Sequence, residues 1–407
     1  MHGSKERRAL VIGGSMSGLF AAILLRRAGW TVDIYERVDV ELTGRGAGIV
    51  THAEMRDVLR AAGCDPSRDL GIDVTSRRTL DSSGQVVGQQ ACPQTLTSWD
   101  RVFRMLREVL STETYHLGKE LQRVEQGRGR VTAHFTDGGR AEGDLLVGAD
   151  GFRSTVRGEV LPEVRPVYAG YIAWRGLVDE AALSPKTHAD IFDAMVFGLP
   201  PREQFISYPV AGRDNDLRPG HRRCNFVWYR SADEAALERM MTDAGGRTHL
   251  LGIPPPLVRA DVIAELRAAS RGLLAPQLDE VVRLTPQPFL QPIYDVETTR
   301  MAVGRVAVIG DAAFLARPHV AAGVTKAAED AMVLANALQS ADDVEAALRT
   351  FEHERIPVNR RILARGRDLG IYLKPHLASA EERAQADRRH SPQAVMSEIA
   401  VLDFLRE

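Results

Sequence analysis

The sequence predicts an α/β fold built from a Rossmann-like nucleotide-binding domain, a mixed β-sheet substrate domain and C-terminal helices. Three observations predict it. The apolar run Ala9–Ile12 enters a glycine turn, the run Val306–Ile309 repeats the buried-strand pattern far down the chain, and the stretch between them turns β-branched and aromatic. At 407 residues the chain is also too long for one ordinary core.

The elements follow in order. Ala9–Ile12, the Gly13-Gly14-Ser15-Met16-Ser17-Gly18 turn, helical spacing from Leu19 to Arg27 and the run Thr31–Glu36 read as strand, turn, helix, strand. Met55–Ala62 and Asp100–Leu110 have helical spacing, whereas Gln122–Phe135 and Leu145–Gly148 read as strands around the Asp137-Gly138 turn. From Tyr168 to Leu290, strand-like segments such as Phe205–Val210 and Cys224–Tyr229 alternate with Pro- and Gly-rich turns. Arg305–Asp311 returns to the parallel-strand pattern, with a helix from about Val324 to Leu338 and further helices after residue 345. The expected division is 1–75, 97–165 and 293–345 for the nucleotide domain, 76–96 and 166–292 for the sheet domain, and 346–407 for the C-terminal helices.

Composition excludes several function classes. The 52 basic and 54 acidic side chains nearly cancel, so no whole-molecule field draws the chain to nucleic acid or anionic membranes. No run approaches the roughly 18 apolar residues of a membrane helix, and the glycines at 13, 14 and 18 spoil the first apolar stretch as a signal peptide. Cys64, Cys92 and Cys224 are odd in number and far apart, which predicts a reducing cytoplasm and no zinc site. The histidines show no H-x-x-x-H spacing, so no metal is expected. Dimers are the commonest assembly for such chains, which makes a homodimer the state to test.

Gly13, Gly14 and Gly18 stand where the backbone must bend and approach a pyrophosphate, and the helix after them points free N–H groups at that charge. Ser15 and Ser17 belong to the same turn, with Ser15 in place of the usual middle glycine. Glu36 ends the next strand 18 residues beyond Gly18, where a carboxylate accepts hydrogen bonds from both ribose hydroxyls of an adenosine; Arg37 follows it. Two further stretches follow strands: Gly148-Ala149-Asp150-Gly151-Phe152-Arg153-Ser154-Thr155-Val156-Arg157, and Gly310-Asp311-Ala312-Ala313 with Pro318 and Gly323 leading into a helix.

These three stretches, in this order and across residues 8–370, resemble the class A flavoprotein aromatic hydroxylases, the family of p-hydroxybenzoate hydroxylase. The resemblance implies FAD on the glycine turn and Glu36, its flavin-side ribose on Asp311, and a double duty for Asp150 and Gly151 toward FAD and NADH or NADPH. It also lays Arg45 along the flavin and brings Pro318, Ala322, Gly323 and Val324 to the cofactor. The implied activity is hydroxylation of an electron-rich ring with dioxygen through a flavin C4a-hydroperoxide, epoxidation or Baeyer–Villiger oxygenation being the alternative use of the same chemistry. A flavin-free NAD dehydrogenase would leave the two later stretches without a purpose. The sequence departs from the family's common pattern at Trp99 (commonly Arg), Phe314 (commonly His) and Ala321-Ala322-Gly323 (commonly Gly-Gln-Gly), and the segments Thr97–Asp100, Tyr168–Gly176 and Arg317–Gly323 are instead similar to the 2,6-dihydroxypyridine 3-hydroxylase branch, which acts on hydroxylated N-heteroaromatics.

Removing a ring-hydroxyl proton activates such a ring, and His319 is the candidate acceptor because it follows Pro318 and has a free pKa near 6.5. Tyr208 is a candidate hydrogen-bond partner for a ring oxygen or nitrogen. Tyr171, Phe226 and Trp228 are candidates for an aromatic wall against a flat substrate, with ordinary sheet core as the favoured alternative. Arg175 fits either a substrate anion or an ion pair between domains. The charged face from Glu381 to Arg389 reads as solvated helix surface.

Overall fold

The computed structural model describes residues 7–43, 48–67 and 69–406. Two large sheets organise it. The first has six strands in the order Ala302–Val303, Val306–Val308, Leu145–Gly148, Arg8–Ile12, Thr31–Tyr35, Tyr115–His116. Four of its five pairings are parallel, and only Ala302–Val303 runs antiparallel to its neighbour. Ala9, Leu10 and Val11 are fully buried, as a strand covered on both faces requires. The helices Met16–Arg27 and Gly323–Ser340 pack against each other on this sheet, so a segment more than 300 residues downstream of the glycine turn completes the first layer.

The second sheet has nine strands, in the order Phe314–Leu315, Phe289–Glu297, Val167–Asp179, Arg223–Ser231, Gln204–Val210, Ala194–Gly198, Ile72–Leu80, Val86–Ser98, Gly48–Val50. It draws in residues 48–50 and 72–75, upstream of the stretch that sequence assigns to it. Register decides what each face carries. Trp174 pairs with Trp228 and Ala173 with Tyr229, so Trp174, Phe226 and Trp228 share one face while Ala173, Tyr171 and Tyr229 share the other. The first face is sealed by the helices Ala260–Leu273 and Pro276–Leu284 through Val262, Leu266, Leu278 and Val281. Sequence texture marked this region as sheet and gave no sign of that helical cover.

The other face meets the loop before the helix Gly323–Ser340 and the C-terminal segment. That segment comprises the helices Val344–Leu369, Ala380–Arg389 and Pro392–Glu398 and then an irregular stretch. Buried Arg77 fastens it: one terminal nitrogen lies 2.8 Å from the Met396 carbonyl and 2.7 Å from the Ile399 carbonyl. Ala400 takes a left-handed backbone at φ +56° and its N–H donates to the His319 carbonyl at 2.9 Å. No described helix is long and apolar enough to cross a membrane.

Candidate active site

The glycine turn is dictated by close approach. A Cβ on Gly18 would stand 1.9 Å from the Gly13 carbonyl oxygen, and one on Gly14 would stand 2.1 Å from the Tyr115 hydroxyl, so neither position admits a side chain. Tyr115 donates that hydroxyl to the Gly14 carbonyl at 2.8 Å. Ser15 makes no side-chain cap, which leaves the first-turn N–H groups of the helix open to the groove that Ser15, Met16 and Ser17 line. Glu36 is buried and fixed by the N–H groups of Gly14 at 2.8 Å and Val38 at 3.0 Å, each carboxylate oxygen keeping a further lone pair.

From this end a groove of about 400 Å³ runs past Arg37, Trp99, Asp150, Gly151 and Arg153 to Asp311, Gly323 and Val324. The three stretches therefore converge on one cavity. Asp150 spends its carboxylate locally, accepting from Ser154 Oγ at 2.5 Å and from the N–H groups of Thr155 and Val156 at 2.7 and 3.1 Å, while burial raises its pKa. Arg157 joins the second stretch to the third: its guanidinium donates to the Ala312 carbonyl at 2.8 Å and the Phe152 carbonyl at 2.6 Å. Gly310, at φ +61°, could carry no Cβ without meeting Ser17 Oγ at 2.1 Å, so the third stretch also rests on the first. Asp311 stands at the far end, its pKa raised by burial. Gly323 and Val324 begin their helix without a side-chain cap; Ala322 lies buried beside them. Arg45 lies outside the described residues.

A second cavity, of about 230 Å³, lies beyond and shares Asp311, Gly323 and Val324 with the groove. Its walls include Tyr208, Tyr229, Arg175, Pro318 and His319. His319 is buried, with Nε2 at 2.9 Å from the Tyr171 hydroxyl and no partner for Nδ1 among the described residues. Burial first, then the charges of Arg317 and Arg175, push its pKa down to about 3. The free value on which sequence nominated it as proton acceptor is therefore lost, and His319 is a neutral imidazole at working pH. Burial raises the Tyr208 phenol, which stays protonated and able to donate. Tyr171 stands behind His319 as its hydrogen-bond partner, not as a pocket wall. Phe226 and Trp228 point to the opposite face of the sheet, because the Trp174–Trp228 register sends their side chains into the helix-covered core; this corrects the aromatic-wall expectation for both.

Sequence reasoning missed Tyr229, Gly48–Val50, Ile399 and Ala400 in the pocket wall. Alternation from Trp228 would have found Tyr229 once the face was known; nothing in the residues around Ile399 announces its place. A third cavity, of about 410 Å³, opens on the other side of Pro318 and Asp311, between Phe152, Arg153, Pro254 and Tyr294.

Comparisons with known proteins identify the family. A family described as FAD binding domain-like matches residues 168–295. The chain is 34% identical over 351 residues to the 2,6-dihydroxypyridine 3-monooxygenase of Paenarthrobacter nicotinovorans, covering 86% of this chain and 87% of that one. It is 29% identical to the FAD-dependent urate hydroxylase of Klebsiella pneumoniae, covering 88% of each. The solved structure of 2,6-dihydroxypyridine-3-hydroxylase from Arthrobacter nicotinovorans superposes with a TM-score of 0.85 at 31% identity, over 93% of this chain and 96% of that one. With the glycine turn, Glu36 and Asp311 set along one groove that ends at a ring-sized pocket, the chain belongs to the FAD-dependent aromatic-ring monooxygenases of the p-hydroxybenzoate hydroxylase type.

Proposed function

We propose that this enzyme hydroxylates a small, hydroxylated N-heteroaromatic ring of the dihydroxypyridine kind, using FAD, NADH or NADPH, and dioxygen. One observation carries the reading: the groove and the 230 Å³ pocket share Asp311, Gly323 and Val324 as a common wall, so a cofactor held in the first would adjoin a ring held in the second. The pocket falls below the roughly 300 Å³ at which sites for drug-sized ligands begin, which suits a single ring. When bound, FAD accepts hydride from the nicotinamide and activates dioxygen for transfer to a ring carbon.

The chain's own residues supply binding, orientation and dryness. Glu36 and the glycine turn would hold the adenosine end, and Asp311 the ribose nearer the ring system. The N–H groups at Gly323 and Val324 place partial positive charge where the two cavities meet, which favours negative charge developing there. Tyr208 donates a hydrogen bond to a ring oxygen or nitrogen, and neutral His319, held by Tyr171, orients the ring hydroxyl without storing its proton. Ile399 and Ala400 help cover the pocket against water. Arg153 borders both the cofactor groove and the third cavity, and is placed to meet the phosphates of the nicotinamide donor. Cys64, Cys92 and Cys224 are free thiols, which supports a cytoplasmic setting.

The test is a panel of hydroxypyridines and hydroxybenzoates offered to the FAD-loaded protein with NADH or NADPH and ¹⁸O₂. A hydroxypyridine is expected to accelerate nicotinamide oxidation and leave with one labelled oxygen. Nicotinamide loss recovered entirely as hydrogen peroxide across the panel would overturn the reading.

A further inference from the structure

Arg175 projects from the central strand Val167–Asp179, opposite Val227, into the wall of the ring pocket. The pocket's other guanidinium, Arg317, is already committed. It grips the buried carboxylate of Asp295 at 3.1 and 3.0 Å, and Arg367 shares that carboxylate at 3.1 Å. Arg175 has no such partner. Among the described residues its Nε is closed off from solvent and makes no hydrogen bond.

The surroundings sharpen the point. Tyr208, Tyr229 and His319 all face the same space and all feel the charge of Arg175. Among the described residues the one carboxylate on the pocket wall, Asp311, stands where the pocket meets the cofactor groove. The buried Nε–H of this half-enclosed side chain lacks an acceptor that a ligand could supply. A planar guanidinium is suited to two adjacent acceptor atoms of a flat anion.

We propose that Arg175 is the anion receptor of the ring pocket, and that the substrate binds as a ring monoanion whose charge, delocalised onto an exocyclic oxygen, is held by this guanidinium. The proposal deepens the function given above and rests on it. It also removes a difficulty in the site, since a ring that arrives already deprotonated is electron-rich without any histidine having to take its proton.

The experiment titrates FAD-loaded protein with 2,6-dihydroxypyridine, which ionises, and with 2,6-dimethoxypyridine, which does not, following the visible flavin spectrum. The parent is expected to bind the ionisable ring at least about 30-fold more tightly. Arg175→Gln is expected to lose about that factor for the ionisable ring and to stay within about twofold for the methylated one, with Arg175→Lys recovering part of the loss. A parent that does not distinguish the two rings overturns the proposal without any variant. So does an Arg175→Gln protein that keeps its FAD band and binds 2,6-dihydroxypyridine within about twofold of the parent. If the parent still hydroxylates a ring in those cases, the charge assignment alone has failed; a parent unmoved by every ring probe sinks the function with it.

Discussion

At the scale of single residues, His319 shows how a pocket rewrites a side chain. Its pKa falls from an ordinary 6.5 to about 3, with burial the largest cause. The sign of the stability effect follows from proton counting. Between pH 6.5 and about 3 the unfolded chain binds a proton at this site and the folded chain does not, so stability falls as pH falls through that window and is untouched above it. Going from pH 6.5 to 5 is expected to cost the parent about 1.6 kcal/mol through this residue. The loss should be absent in His319→Gln, as urea unfolding of both proteins at the two pH values would show; parallel losses would contradict it. The place of His319 in the pocket wall was legible through the family resemblance, and Glu36 and the glycines through a local strand, turn and helix pattern. The charge state of His319 was not, since that depends first on burial within the folded pocket and then on the charges of Arg317 and Arg175.

At the scale of elements, the strand Ile72–Leu80 hydrogen-bonds the C-terminal segment through the side chain of Arg77 and packs against it through Val74. Arg77 satisfies two carbonyls that close the last helical turn, and charge-assisted bonds of this kind contribute about 1.5–3 kcal/mol each. Arg77→Met keeps the apolar stem and removes both. It is expected to expose the segment beyond residue 390 to limited proteolysis and to raise the KM for the ring several-fold while FAD stays bound. Protease resistance equal to the parent's would argue that the segment is held elsewhere. Elements of the first layer could be read from sequence because strand, turn and helix follow one another directly. The faces of the second sheet could not be read that way: alternation says that Phe226 and Trp228 share a side, and only pairing with Trp174 says which side it is. The aromatic residues with the strongest strand signal went into the core, and the less conspicuous Tyr229 went to the pocket.

At the scale of the whole molecule, the cofactor groove exists only when residues 13–18, 150–157 and 310–324 are brought together, so FAD binds the folded chain and not the unfolded one. A hundredfold excess over its Kd then adds about 2.7 kcal/mol of stability. Thermal unfolding across an FAD titration should show Tm climbing with concentration. Arg157→Gln, which cuts the tie between the second and third stretches, should need about tenfold more FAD for the same rise; curves that overlay the parent's would contradict it. The order of the three stretches was visible in sequence, and their convergence followed from family resemblance. The contribution of Ile399 and Ala400 was invisible, because a segment that joins neither sheet leaves no periodic trace. That independence makes the C-terminal segment exchangeable: splicing the last dozen residues of a related hydroxylase onto this scaffold would reshape the ring cavity while leaving every strand pairing intact, a route to altered selectivity by chimera.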